Sequence, residues 1–292
     1  MTHKFCTNCG DEITDDTAFC TGCGQKIECE SATTKAEPDA SEANANAHAV
    51  VGKKMTGATE GGKGSLEYSL TGESMQSLNI TINPGQKVYA EAGKMIYMTD
   101  NISMTAKARG GLGGMLKRAV AQESVFITEF ETVGGAGITA FAGSAPGKIR
   151  HIALKPGQVI MAQKDAFLCA DDSVDFQVAF TKKFGAGLLG GEGFILEKLV
   201  GPGSLFIQGG GDFVEFDLKA GETIKVDTGC LVAFDESVAY DIQRAGGLKT
   251  SFFGGEGFFL AKMTGPGRVI IQTMPLARMA HELASYLPKS SN

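Results

Sequence analysis

Phe5-Cys6-Thr7-Asn8-Cys9-Gly10 returns almost unchanged as Phe19-Cys20-Thr21-Gly22-Cys23-Gly24. Two C-x-x-C-G knuckles at this spacing supply four thiolates, the donor set that tetrahedral Zn²⁺ prefers. The glycine after each second cysteine lets the backbone curl so that amides can face the sulfurs. A segment this short cannot bury enough apolar surface to fold alone, so the metal must supply the difference, ~10–16 kcal/mol at neutral pH. Disulfides or a redox C-x-x-C are the competing readings, and the doubled spacing favours the metal. Cys6, Cys9, Cys20 and Cys23 are therefore the expected ligands of one structural Zn²⁺, with no open coordination position.

Other chemistry-bearing residues have plainer explanations. Gly57 to Gly64 falls one residue short of a phosphate-binding loop, because Gly64 stands where Ser or Thr should hold Mg²⁺. Gly185-Ala186-Gly187-Leu188-Leu189-Gly190 matches G-x-G-x-x-G, but strand-like residues and a Gly-Pro-Gly turn follow, not a helix. No nucleotide site is expected. Glu192 and Glu256 occupy matched glycine turns; an acid–base pair is conceivable, but solvated turn residues explain them. Cys169 and Cys230 sit where the other copy of an internal repeat has Ala233 and Ala166, which marks them as small core residues. Cys29 reads as an idle linker thiol, and His3, His48, His151 and His281 are isolated from one another. Nothing in this set makes an enzyme.

The 292 residues have room for about two domains. Forty glycines, about twice ordinary usage, suit turns and bulges between many short strands. Residues 1–64 hold 6 Lys/Arg against 10 Asp/Glu, and residues 65–292 hold 21 against 23, so neither part is built to neutralise phosphates. Scattered thiols beside a thiolate metal site indicate a reducing compartment. With no apolar leader before Cys6 and no long apolar run, the cytoplasm is the expected location, without membrane integration.

Three segments are expected: a zinc ribbon at 1–27, a flexible polar linker at 28–64, and a body at 65–292. The body repeats itself. Gly190 through Gln208 recurs 64 residues later as Gly254 through Gln272, with 12 of 19 positions identical. Ile82-Asn83-Pro84-Gly85-Gln86 matches Leu154-Lys155-Pro156-Gly157-Gln158 and Leu218-Lys219-Ala220-Gly221-Glu222. Units at about 65–148, 149–210 and 211–274 result.

Within them Leu78/Ile80/Ile82, Val174/Phe176/Val178/Phe180 and Val214/Phe216/Leu218 alternate at period two. Helical spacing appears only after Pro275, where Leu276, Met279, Ala280, Leu283, Ala284 and Leu287 form one stripe. The expected fold is all-β: three tandem antiparallel β-sandwich-like repeats with a short helix at 275–287. That helix is expected to cap the body, with a subunit contact as the competing role.

The repeated P-G-Q starts, the segments Gly110–Gly114 and Gly185–Gly193, the GGEGF…GPG…IQ blocks and the closing helix together resemble the altered-inheritance-of-mitochondria protein 24 family. The resemblance covers roughly 65–288. It implies a tryptophan-RNA-binding-attenuator-like β fold, repeated within the chain and prone to oligomerise, in a family whose mitochondrial members are associated with membrane organisation. Unit one departs from the pattern, since Glu123-Ser124-Val125-Phe126 replaces GGEGF and no GPG follows. The first 27 residues resemble short double-knuckle zinc ribbons.

A non-catalytic, zinc-binding, homo-oligomeric scaffold that meets a protein partner through its ribbon is the expected function. A nucleic-acid-binding regulator is the alternative. Against it stand the acidic ribbon residues Asp11, Glu12, Asp15 and Asp16, and the absence of Arg-rich or aromatic-basic clusters.

Overall fold

The computed structural model describes residues 4–5, 12–13, 55–58, 66–107, 127–182, 194–244, 259–284 and 286–287. The chain divides into two compact units, 1–49 and 50–292. In the first, β1 (Lys4–Phe5) and β2 (Glu12–Ile13) pair antiparallel, Lys4 opposite Ile13. The second begins earlier than the sequence suggests. Met55–Ala58, inside the segment read as linker, forms β3 and pairs with β4 (Glu67–Thr71), Met55 opposite Leu70. Backbone pairing onto an edge strand asks little of side chains, so a polar, glycine-rich sequence can do it without announcing itself.

From β5 onward one six-strand plan is used three times. Unit one holds β5 (Ser77–Ile82), β6 (Lys87–Glu91), β7 (Met95–Met98), β8 (Ile102–Lys107), β9 (Ile127–Thr132) and β10 (Gly137–Ala142). Unit two holds β11 (Gly147–Leu154), β12 (Val159–Gln163), β13 (Phe167–Asp171), β14 (Asp175–Lys182), β15 (Phe194–Val200) and β16 (Gly203–Gly210). Unit three holds β17 (Phe213–Leu218), β18 (Thr223–Asp227), β19 (Leu231–Asp235), β20 (Ala239–Arg244), β21 (Phe259–Thr264) and β22 (Gly267–Gln272). In each unit the first and third strands flank the sixth, and the second and fourth flank the fifth. All these pairings are antiparallel.

Units join by sharing sheets. β13 of unit two pairs with β6 of unit one, and β19 of unit three pairs with β12 of unit two. Among the described residues the body's strands thus make four sheets, ordered β3-β4-β5-β10-β7, β11-β16-β13-β6-β9-β8, β14-β15-β12-β19-β22-β17 and β18-β21-β20.

One core lies between each successive pair of sheets. Leu78, Ile80, Phe130 and Phe141 of unit one pack with Leu168 and Phe206 of unit two. Phe167, Phe176, Leu205 and Ile207 pack with Tyr89 of unit one and Val232 of unit three. Phe194 and Met161 join Leu231, Phe234 and Met263 in the third core. Adjacent residues of β16 thus serve different cores, Phe206 one and Leu205 and Ile207 the other, so both faces of that strand are apolar.

The repeated starts are turns whose chemistry is visible atom by atom. The backbone N–H of Gln86, Gln158 and Glu222 donates to the carbonyl three residues back at 2.9, 3.0 and 3.0 Å. Their side chains in turn accept from the amides of Asn83, Lys155 and Lys219 at 2.9, 3.0 and 2.9 Å. Gly85, Gly157 and Gly221 carry φ of +85°, +74° and +80°, the conformation the turn requires. After its last residue in strand β22, the chain turns into α1 (Leu276–Ala284).

Candidate assembly surfaces and central cavity

The rule that joins units leaves two strands over. β18 is the second strand of unit three and ends its sheet; β7 is the third strand of unit one and ends another. Each therefore has one backbone edge without a strand partner among the described residues, the kind of edge that pairs with another chain. On β7, Ile96 is 53% and Tyr97 48% exposed.

Helix α1 does not behave as the expected cap. None of its residues is buried. Arg278 anchors it to unit three, donating to Asp227 Oδ2 at 3.1 Å and approaching Cys230 Sγ at 3.7 Å. Its apolar stripe is largely exposed: Leu276, Leu283 and Leu287 are 48%, 58% and 66% exposed, as is the neighbouring Tyr286 at 86%, and Met279 is half-buried. The spacing marks the stripe, and its expected burial against the body is not found.

Matching segments of all three units converge on one cavity of about 350 Å³. The ends of β10, β16 and β22 bring Ala142, Gln208 and Gln272 to it, and the turns after β6, β12 and β18 bring Lys94, Asp165 and Gly229. Gln208 Nε2 donates to the Asp165 carbonyl at 2.8 Å, and Gln272 Nε2 makes the equivalent bond to the Gly229 carbonyl at 2.9 Å. Unit one has Ala142 there and solves the position differently. The buried Lys94 ammonium donates to Ser144 Oγ at 2.7 Å and pairs with Glu91 at 3.2 Å.

Near this wall lies a carboxyl group that the reading of the repeats passed over. Glu197, on β15, is 1% exposed and its Oε2 has no partner. Burial, reinforced by Glu91 and Asp165 and opposed by Lys164 and Lys94, pushes its pKa well above the usual carboxylate range, which favours the neutral acid. Unit three has Ala261 at the matching strand position, with Val226 across from it where unit two has Ala162. A signal existed: among the seven mismatches of the repeated block, Glu197 and Ala261 set a carboxyl against a methyl.

Cys169 is fully buried and Cys230 nearly so, as small core residues should be, and burial raises the Cys169 thiol further out of reach of ionisation. Among the described residues no group of three or more His, Cys, Asp or Glu could hold a metal, and no helix is long and apolar enough to cross a membrane. Cys6, Cys9, Cys20 and Cys23, Glu192 and Glu256, and Gly185 through Gly190 lie outside the described residues. What is described of the ribbon is the β1–β2 pairing, whose strands precede and follow Cys6 and Cys9 in the sequence. Four soft thiolates are a donor set that fits Zn²⁺, which would supply folding free energy as a cross-link and no reaction chemistry.

Comparison with known proteins agrees with this architecture. A crystal structure of a Streptococcus pyogenes protein superposes with a TM-score of 0.61 at 25% identity, covering 80% of this chain and all of that one. An uncharacterized protein of Streptococcus pyogenes serotype M6 is 32% identical over 224 residues, which is 74% of this chain and 88% of the relative. Residues 5–27 match the zinc-ribbon domain family. Residues 68–274, nearly all of the repeated body, match the family described as mitochondrial biogenesis AIM24, and the chain belongs to that family.

Proposed function

We propose that this protein is a non-catalytic, zinc-binding scaffold that self-associates through its β body and presents its ribbon to a protein partner. The observation that carries the reading is the largely exposed apolar stripe that runs along α1 and past its end. Leu276 and Leu283, both about half exposed, share one face of the short helix, Leu287 follows just beyond its end, and Arg278 ties the helix to Asp227. Leaving such a stripe in water forgoes roughly 25 cal/mol for each Å² that a second copy would cover. The unpaired edges of β7 and β18 offer a second route to the same end.

Zn²⁺ held by Cys6, Cys9, Cys20 and Cys23 would make the ribbon a folded module, and several ribbons on one assembly would add weak contacts through effective concentration. An assembly role suits a family whose description concerns the building of an organelle.

Sedimentation velocity of the full chain at tens of micromolar tests this. The expected result is an oligomer that Leu283→Glu together with Leu287→Glu shifts toward monomer while the β signal in circular dichroism is kept. A strict monomer across that range would remove the self-association on which the reading rests.

A further inference from the structure

The two junctions between units follow one register. On β6, Cys169 faces Ala90, Ala170 faces Tyr89 and Asp171 faces Val88. On β12, Ala233 faces Ala162, Phe234 faces Met161 and Asp235 faces Ile160. Counted from the repeated turn starts, these are the same positions one unit further on. A backbone bond ends each junction at matching places. Asp172 N–H donates to the Lys87 carbonyl at 3.1 Å, and Glu236 N–H to the Val159 carbonyl at 3.4 Å.

Each incoming strand also delivers two neighbouring residues to the core of the unit before it. A bulge makes this possible, at Leu168 in β13 and Val232 in β19. Leu168 and Cys169 are thereby fully buried in unit one's core, and Val232 and Ala233 in unit two's. β7 carries the same bulge at Ile96, yet Ile96 and Tyr97 are about half exposed. Unit three's core receives no such pair among the described residues, and Ile224 of β18 is only half-buried where Val88 and Ile160 are buried.

We propose that β18 of one chain pairs with β7 of a second copy, in the register of the two internal junctions. Tyr97 then faces Val226, Met98 faces Lys225 and Thr99 faces Ile224. The chain's own β7 does not pair with β18, so each edge takes the other from a second copy. Two features fit the contact. Large and small residues exchange places along the row: Tyr97 lies beside Ala140, where the internal junctions have Cys169 beside Phe206 and Ala233 beside Ile270. Charges also match. Lys198 Nζ reaches Glu236 Oε1 at 2.7 Å across the second junction, and Lys262 and Asp100 hold those two places at the proposed one. The first junction has Glu129 and Asp172 there and lacks that bridge. Such a contact is head-to-tail, so it closes as a ring or runs on as a filament.

The inference rests on the self-association proposed above and gives it a geometry of its own. Disulfide trapping on the full chain tests it. Tyr97→Cys and Val226→Cys, made in separate chains, mixed and oxidised, should give a covalent dimer about tenfold above either variant alone. Thr99→Cys mixed with Ile224→Cys should do the same, whereas Tyr97→Cys mixed with Lys225→Cys, one residue out of register, should not. A bond that forms only when both cysteines share one chain would overturn the proposal, because β7 would then be closing on its own β18. An oligomer that Leu283→Glu with Leu287→Glu dissociates, and that yields no mixed disulfide, would overturn this contact and leave assembly through the helix standing. A strict monomer at tens of micromolar would remove both.

Discussion

Tyr89 of unit one donates its phenol to the Val174 carbonyl of unit two at 2.9 Å, and both residues are fully buried. The bond crosses a shared sheet, so it ties one unit's second strand to the next unit's core. Tyr89→Phe keeps the packing and strips the carbonyl of that donor. Stability should fall by about 1–3 kcal/mol, read as a lower denaturant midpoint with an unchanged slope.

The same interleaving predicts how the body comes apart. Phe206 of unit two completes unit one's core, and Val232 of unit three completes unit two's. Fragments 65–148, 149–210 and 211–292 expressed separately should be insoluble or unfolded. A single fragment that melts cooperatively would contradict the shared cores.

Glu197 gives stability a pH slope. Its folded pKa is raised, so between the ordinary glutamate range and that raised value the native state holds a proton the unfolded chain has released. Stability contributed by this group therefore falls as pH rises through that window. Glu197→Gln removes the titration and should raise the melting temperature at pH 8 by several degrees, while changing it little at pH 4.5. Parallel shifts at both pH values would show that Glu197 is not held neutral.

Two glycines separate backbone strain from steric exclusion. Gly157 has φ +74° with open space around it, so Gly157→Ala should cost only the left-handed conformation, about 1–2 kcal/mol. Gly203 has φ +139°, and a Cβ there would stand 2.5 Å from Ser173 Oγ and 2.8 Å from a Val174 methyl. Gly203→Ala should be the worse of the two by at least about 1 kcal/mol in chemical denaturation.

In the ribbon, reduced and metal-replete protein should hold one Zn²⁺ per chain by atomic absorption. Cys6→Ser should abolish that stoichiometry and leave the thermal transition of the body in place, since the ribbon is a separate compact unit. A stoichiometry near zero in the parent protein would end the zinc reading.

Much of the fold was legible because it is local. The P-G-Q starts are turns whose own side chains close them, and the helix after Pro275 declares itself by spacing. Sharing of sheets was not legible, because β6 meets β13 through backbone groups that any residue carries. β3 escaped notice for the same reason. The cavity depended on a difference between copies: the paired Ile-Gln endings were visible at Gln208 and Gln272, but only geometry shows that one amide oxygen is met and the other is not. Glu197 lay unnoticed in the repeated block because a charge on a strand reads as solvent-facing until both faces of the sheet prove to be covered.

Because β13 docks on β6 in the way β19 docks on β12, every unit offers its successor the same landing strip and needs no surface unique to its place in the chain. An in-frame duplication or loss of a whole unit would therefore keep the same strand-on-strand docking rule at each new junction. Length in this architecture is a matter of recombination and not of redesign. A four-unit descendant, built by copying residues 147–210 in place, should fold with one more sheet and one more core.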